Sequence, residues 1–173
     1  RLLDPLQVVV FDGAMGTMLY NKGVFINQCY DELNLRAPDL VRDVHKAYRK
    51  AGAEVLETNS FGANRFKLAN FNLADQVRAI NMEGARLACR AVRDAAWVAG
   101  SIGPLGIRIE PWGKTSVTEA EEALACSGSL SGLWSAAGSE AAVGTPSPAP
   151  LDGSSGEPPY WEVPAAADCS AAV

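Results

Sequence analysis

The sequence predicts an α/β fold built on a parallel sheet, and three observations lead there. Short β-branched apolar runs alternate with longer stretches of helical period, and each run ends in polar or glycine residues. The first run, Val8-Val9-Val10-Phe11, is apolar at every position, as expected of a strand covered on both faces in a parallel sheet. The 173 residues are 48% hydrophobic, enough for one core, and the prior is a single domain. No apolar run approaches the roughly 18 to 20 residues that a membrane span needs. The chain opens on Arg1 and shows no signal-peptide pattern, so it reads as a piece of a longer product.

The first run leads straight into Asp12-Gly13-Ala14-Met15-Gly16-Thr17, an acid followed by two glycines three residues apart. This predicts a strand ending in a tight turn whose backbone is left bare. Parallel sheets hold ligands at the carboxyl ends of their strands, where Asp12 and Gly13 fall. Residues 18–37 have no clear period and predict a loop or short helices. Pro38-Asp39-Leu40 then opens a helix, since proline suits the first helical position and an acid suits the positive end of the helix dipole. Leu40, Val41, Val44, Tyr48 and Ala51 form its apolar stripe, and Gly52 ends it. His45, the single histidine, borders that stripe; no second ligand sits at helical spacing, so packing or a surface role is expected rather than metal binding.

The run 54–60, Glu54-Val55-Leu56-Glu57-Thr58-Asn59-Ser60, is the second expected strand, again ending in polar residues. After a loop over 61–71, a helix is expected over 74–93, with Val77, Ile80, Gly84, Leu87, Ala88 and Ala91 on one stripe and Cys89 as a small packing residue. The third expected strand begins at Trp97-Val98-Ala99 and closes on Gly100-Ser101-Ile102-Gly103-Pro104. Two architectures fit these three strand-helix units. A doubly wound sheet would place a phosphate loop after the first strand, but Gly13-Ala14-Met15-Gly16 lacks the GxGxxG spacing. A (β/α)8 barrel fits better, because its active site is made where polar strand ends converge on one face.

Charge divides the chain. All 15 Lys and Arg lie at or before Lys114, whereas Glu119, Glu121, Glu122, Glu140, Asp152, Glu157, Glu162 and Asp168 follow it. No basic cluster is dense enough to imply nucleic acid; the charges from Arg42 to Lys50 read as the solvated face of a helix. The four cysteines, Cys29, Cys89, Cys126 and Cys169, show no paired spacing, so reduced thiols in the cytoplasm are expected.

Residues 116–124 predict the start of a third helix, and the pattern fails at Ala125. From there to Val173 the chain is dominated by Ala, Gly, Ser and Pro, with Trp134, Tyr160 and Trp161 as isolated aromatics. Such composition cannot bury enough apolar surface to offset ordering entropy. Two domains are therefore expected: 1–124, folded, and 125–173, a disordered tail. An out-of-frame translation of GC-rich DNA is favoured for that tail over a genuine flexible linker.

Asp12-Gly13-Ala14-Met15-Gly16-Thr17, then Glu57-Thr58-Asn59-Ser60-Phe61-Gly62-Ala63-Asn64, then Gly100-Ser101-Ile102-Gly103-Pro104 together resemble the successive strand ends of the homocysteine S-methyltransferase family. The resemblance covers roughly residues 3–122. Asn27-Gln28-Cys29-Tyr30-Asp31-Glu32-Leu33-Asn34 and Pro38-Asp39-Leu40-Val41 resemble its cobalamin-dependent branch and the branch fused to a methylenetetrahydrofolate reductase.

The resemblance implies an incomplete (β/α)8 barrel, about its first three βα units, from a module that methylates the thiol of homocysteine to give methionine. It implies substrate binding by Asp12, Gly13 and Ala14, with Glu57, Thr58 and Asn59, and by Ser101 at the third strand end. It implies zinc, because a free thiol is mostly protonated at neutral pH and coordination removes its proton. The family holds that zinc with one cysteine on a later strand and an adjacent cysteine pair beyond it, and this chain has neither. No residue here inherits a metal role, and the chain by itself is expected to be inactive. The alternative is a non-catalytic fragment that retains only amino-acid binding at the first strand end. Cobalamin or folate as methyl carrier, and a methyl-donor domain or fused reductase as partner, would belong to a longer protein.

Overall fold

The computed structural model describes residues 6–92 and 96–128. Its elements run α1 (Met15–Asn21), α2 (Leu33–Arg36), α3 (Pro38–Ala51), β1 (Val55–Glu57), α4 (Arg65–Ala69), α5 (Val77–Val92), β2 (Trp97–Ala99) and α6 (Val117–Gly128). β1 and β2 pair in parallel with Val55 opposite Trp97, Leu56 opposite Val98 and Glu57 opposite Ala99. On the other side of β1 the first apolar run adds one parallel bridge, Phe11 to Val55. Three parallel segments thus lie side by side in chain order.

α3 forms where the sequence places it. Pro38 occupies its first turn beside Asp39, Arg49 and Lys50 close its last turn, and Gly52 ends it at φ +105°, a conformation that glycine adopts without strain. Arg42 and Asp39 pair at 2.8 Å on the solvated face. Val41, Val44 and His45 face inward. α5 buries Val77, Ile80, Gly84, Leu87 and Ala88 along the expected stripe and packs against α3 and both strands. Leu56 and Val98, opposite each other in register, share one apolar cluster with Ala88 and Val92 of α5, so the helices cover that face of the sheet. A second cluster joins Leu19, Leu33, Val41, Val44 and Leu87, and a third joins Cys29, Ala63, Leu68, Leu73, Val77 and Ile80.

The strands are shorter than expected. The run 8–11, read as a strand covered on both faces, makes one bridge and leaves Val8 89%, Val10 52% and Phe11 52% exposed. Among the described residues only β1 lies alongside it, through hydrogen bonds from Glu54 and Val55 N–H to the Val10 carbonyl and from Asp12 N–H to the Val55 carbonyl. The next rung of a parallel ladder would take the Glu57 N–H to the Asp12 carbonyl. Both carboxylate oxygens of Asp12 accept that N–H instead, each at 3.1 Å, and the ladder ends there. The expected strand 54–60 is shortened to Val55–Glu57, the three residues that pair with β2, and the third strand stops at Ala99.

Two helices fall where loops or short helices were expected. α1 continues directly from the glycine turn, and α4 is capped by Asn64, whose side-chain oxygen accepts from Phe66 N at 3.2 Å and Lys67 N at 3.1 Å. α6 runs to Gly128, four residues past the expected break. Its Ala120 and Ala123 are buried, and Ser127 Oγ lies 3.0 Å from the Ala123 carbonyl and 3.2 Å from the Ala63 carbonyl, sharing its one proton between its own helix and the loop after β1. The expected tail from 129 to 173 lies outside the described residues. Among those described, no helix is long and apolar enough to cross a membrane.

Candidate functional site

The carboxyl ends of the three parallel segments open into one cleft of about 400 Å³. All seven residues singled out in the sequence, Asp12, Gly13, Ala14, Glu57, Thr58, Asn59 and Ser101, line it. The side chains of the three strand ends are chained together by hydrogen bonds. Asp12 accepts the Glu57 N–H, and Glu57 Oε2 accepts from Ser101 Oγ at 3.2 Å. Ser101 N–H donates to Thr58 Oγ1 at 2.9 Å, and Ser60 Oγ donates to the Ser101 carbonyl at 2.8 Å. Ser60 has only one hydroxyl proton, so in the 2.7 Å contact between Thr58 Oγ1 and Ser60 Oγ the threonine is the donor. The hydroxyls of Thr58, Ser60 and Ser101 are therefore occupied in fixing one strand end to the next.

Asn59 is likewise engaged. Its amide nitrogen donates to the Tyr30 carbonyl at 2.8 Å and to Asn34 Oδ1 at 3.0 Å, while Asn34 Nδ2 donates back to the Asn59 carbonyl at 2.7 Å and to the Ile80 carbonyl at 3.1 Å. This buried pair ties β1 to α2, to α5 and to the loop that carries Tyr30.

What remains directed at a ligand is mainly carboxylate and bare backbone. Asp12 is pushed up to about 6, chiefly by burial and further by the neighbouring Glu57 charge, against the lowering effect of the Glu57 N–H. Asp31, not singled out in the sequence, also lines the cleft; burial raises its carboxyl, opposed by its 2.9 Å bond from Gly62 N–H and by Lys67. Among the described residues lining the cleft there is no Lys, Arg or His. Next to Asp12, Ala14 gives α1 no side-chain cap, and the first N–H groups of a helix have no intrahelical partner.

Two aromatic residues and a glycine complete the walls. Tyr30 and Phe61 line the cleft. Phe61 is held against the third strand end because Gly103 has no Cβ; one there would lie 2.3 Å from the Phe61 carbonyl oxygen and 2.9 Å from its ring. Gly103→Ala is expected to destabilise the fold by about 2 kcal/mol through this overlap, measurable as a lowered urea midpoint. A midpoint equal to that of the parent would show that the loop gives way freely. Tyr30, Asp31 and Asn34 sit together in the stretch 27–34, whose only sequence signal was its place in the resemblance.

The fold is that of an α/β protein with a cleft at the carboxyl ends of its parallel strands. Residues 9–128 match the family model of the homocysteine S-methyltransferases, and the chain belongs to that family. It is 34% identical over 128 residues to the methionine synthase of Mycobacterium tuberculosis, covering 66% of this chain and 11% of that protein. The methionine synthase of Mycobacterium leprae is also 34% identical over 128 residues, and 10% of it is covered. The chain thus spans about a tenth of these relatives' length. Its fold is similar to the metallated form of the homocysteine methyltransferase MmuM from Escherichia coli, with a TM-score of 0.54 and 31% identity over 61% of this chain and 41% of that one.

Proposed function

We propose that these residues form the first βα units of a (β/α)8 homocysteine-binding barrel, with its folded part running through α6 to Gly128 rather than ending at 124, and that the cleft holds the amino-acid end of homocysteine. The observation that carries this reading is the convergence of Asp12, Glu57 and the Gly13-Ala14 turn in a cleft without a cationic side chain. The substrate ammonium lies toward the Asp12 and Glu57 carboxylates, and its carboxylate toward the backbone N–H groups of the turn. The thiol then points out of the cleft, toward a methyl donor.

Thiol activation is a different matter. In the family, zinc supplies the thiolate. Among the described residues no three His, Cys, Asp or Glu side chains are grouped to hold a metal ion; Cys29 is buried, and Cys89 and Cys126 sit on separate helices. The residues present do not fit the metal, and no reaction step is assigned to them. For this chain the reading is binding without turnover. In a longer protein the methyl group would arrive on cobalamin or folate, from a donor domain or a fused reductase. The unpaired spacing of the cysteines in the sequence suits a cytoplasmic location.

Titration calorimetry of the purified chain tests this. L-homocysteine is expected to bind saturably, and 4-mercaptobutyrate, which lacks the ammonium, at least tenfold more weakly. Supplied with zinc and a methyl donor, the chain is expected to form no methionine. Absence of homocysteine binding overturns the substrate assignment, and zinc-dependent methionine formation overturns the assignment of binding alone.

A further inference from the structure

The turn Asp12-Gly13-Ala14 has an unusual support. No side chain caps α1, and the bond that should start the helix, Met18 N–H to the Ala14 carbonyl, is long at 3.4 Å. The same carbonyl accepts a second hydrogen bond, 3.2 Å from the hydroxyl of Tyr48, which comes from α3, 34 residues further along the chain. The Tyr48 ring is anchored in two apolar clusters at once, the one around Val44 and Leu87 and the one around Leu56 and Val98. The ring is thus held by packing on two sides, while its hydroxyl lies at the exposed edge. The ring also lies flush on Gly13: a Cβ there would sit 3.0 Å from Tyr48 Oη, 3.1 Å from Cε1 and 3.3 Å from Cζ. Glycine at 13 is thus matched to Tyr48 as well as to a turn.

We infer that Tyr48 is a positioning residue: through the Ala14 carbonyl and its contact with Gly13, it fixes the turn that lines the cleft. One carbonyl held from behind by a rigid ring orients the adjoining peptide planes, and those planes carry the N–H groups available to a ligand. That the turn receives the carboxylate of homocysteine rests on the function proposed above; that Tyr48 sets its shape does not.

Amide hydrogen exchange on the whole chain and on Tyr48→Phe tests the inference. The variant keeps the ring and loses only the hydroxyl. Exchange at the hydrogen-bonded amides on either side of the turn, Asp12 and Met18, is expected to rise about tenfold, with the amides of α3 and α5 unchanged. Homocysteine affinity is expected to fall about fivefold, the worth of one neutral hydrogen bond. Gly13→Ala should give the same pattern by pushing the ring away, and the double variant should lose less than the product of the two single effects. Unchanged exchange at Asp12 and Met18 in Tyr48→Phe overturns the inference. So does a rise spread over α3 with a lowered thermal midpoint, because that is the signature of a packing residue alone. If the parent chain binds no homocysteine, the substrate assignment fails while the exchange pattern still decides the role of Tyr48.

Discussion

Asn34→Leu is expected to lower the stability of the fold by about 3 kcal/mol, and with it the thermal midpoint by roughly 10 °C. Leucine has a similar volume, so the loss comes from polar groups left without partners. Asn34 is fully buried, and its amide exchanges hydrogen bonds in both directions with Asn59: Nδ2 to the Asn59 carbonyl at 2.7 Å, and Oδ1 from Asn59 Nδ2 at 3.0 Å. Removing it strands one N–H and one carbonyl of Asn59 in the interior, at roughly 1–3 kcal/mol each. Asn34→Asp should be at least as damaging, since an oxygen would then face the Asn59 and Ile80 carbonyls, both acceptors. Thermal denaturation followed by circular dichroism reads the effect. A loss below about 1 kcal/mol for the leucine variant would show that the network does not hold the strand end in place. Gly84 belongs to the same unit, because a Cβ there would come within 2.7 Å of Asn34 Nδ2.

That network was not legible in the sequence, and the reason is physical. Periodicity reports which face of a helix is apolar, and so α3 and the stripe of α5 could be read directly, down to the glycine that ends α3. A buried asparagine breaks no pattern and announces no partner. Its meaning depends on Asn59, 25 residues away, and on the Ile80 carbonyl, 46 residues away. Strand lengths failed for a related reason. Val8 to Phe11 is apolar throughout, but Asp12 places a carboxylate where the ladder needs a carbonyl, so an acceptor from a side chain ends the pairing. The candidate site was more legible than the strands that carry it. Asp12, Glu57 and Ser101 mark three strand ends, and a parallel sheet brings such ends to one side whatever the exact lengths of its strands. Tyr48 and Asp31 escaped notice because each acts on the cleft from another element, Tyr48 as one member of an apolar stripe and Asp31 from an unpatterned loop.

The largest pH-dependent effect is expected at His45. Its ring is fully buried on α3 beside Val41 and Val44, and neither nitrogen has a hydrogen-bond partner. Burial alone pushes it down from 6.5 to about 4. The folded state therefore keeps a neutral imidazole where the unfolded chain takes up a proton. Stability from this group is fully present above pH 6.5 and is lost as the pH falls toward 4, a change of about 3 kcal/mol over that window. Asp12 acts in the opposite sense. Its carboxyl is raised from 3.8 to about 6, so its contribution is fully present below pH 3.8 and is lost as the pH rises through about 6. Asp12 is partly exposed, and solvent screening limits its effect to about 1 kcal/mol, which offsets only part of the histidine's. His45→Met fills the same space without a titrating group. At pH 7 it should be more stable than the parent by about 1 kcal/mol, because two orphaned polar atoms are gone, and at pH 4 by about 4 kcal/mol. With the histidine removed, the remaining dependence should reverse, with stability rising slightly as the pH falls from 6 to 4. Urea unfolding of both proteins across this range decides the point: parallel curves for parent and variant would mean that His45 finds a proton acceptor or water in solution, and that its burial is not the origin of the acid sensitivity.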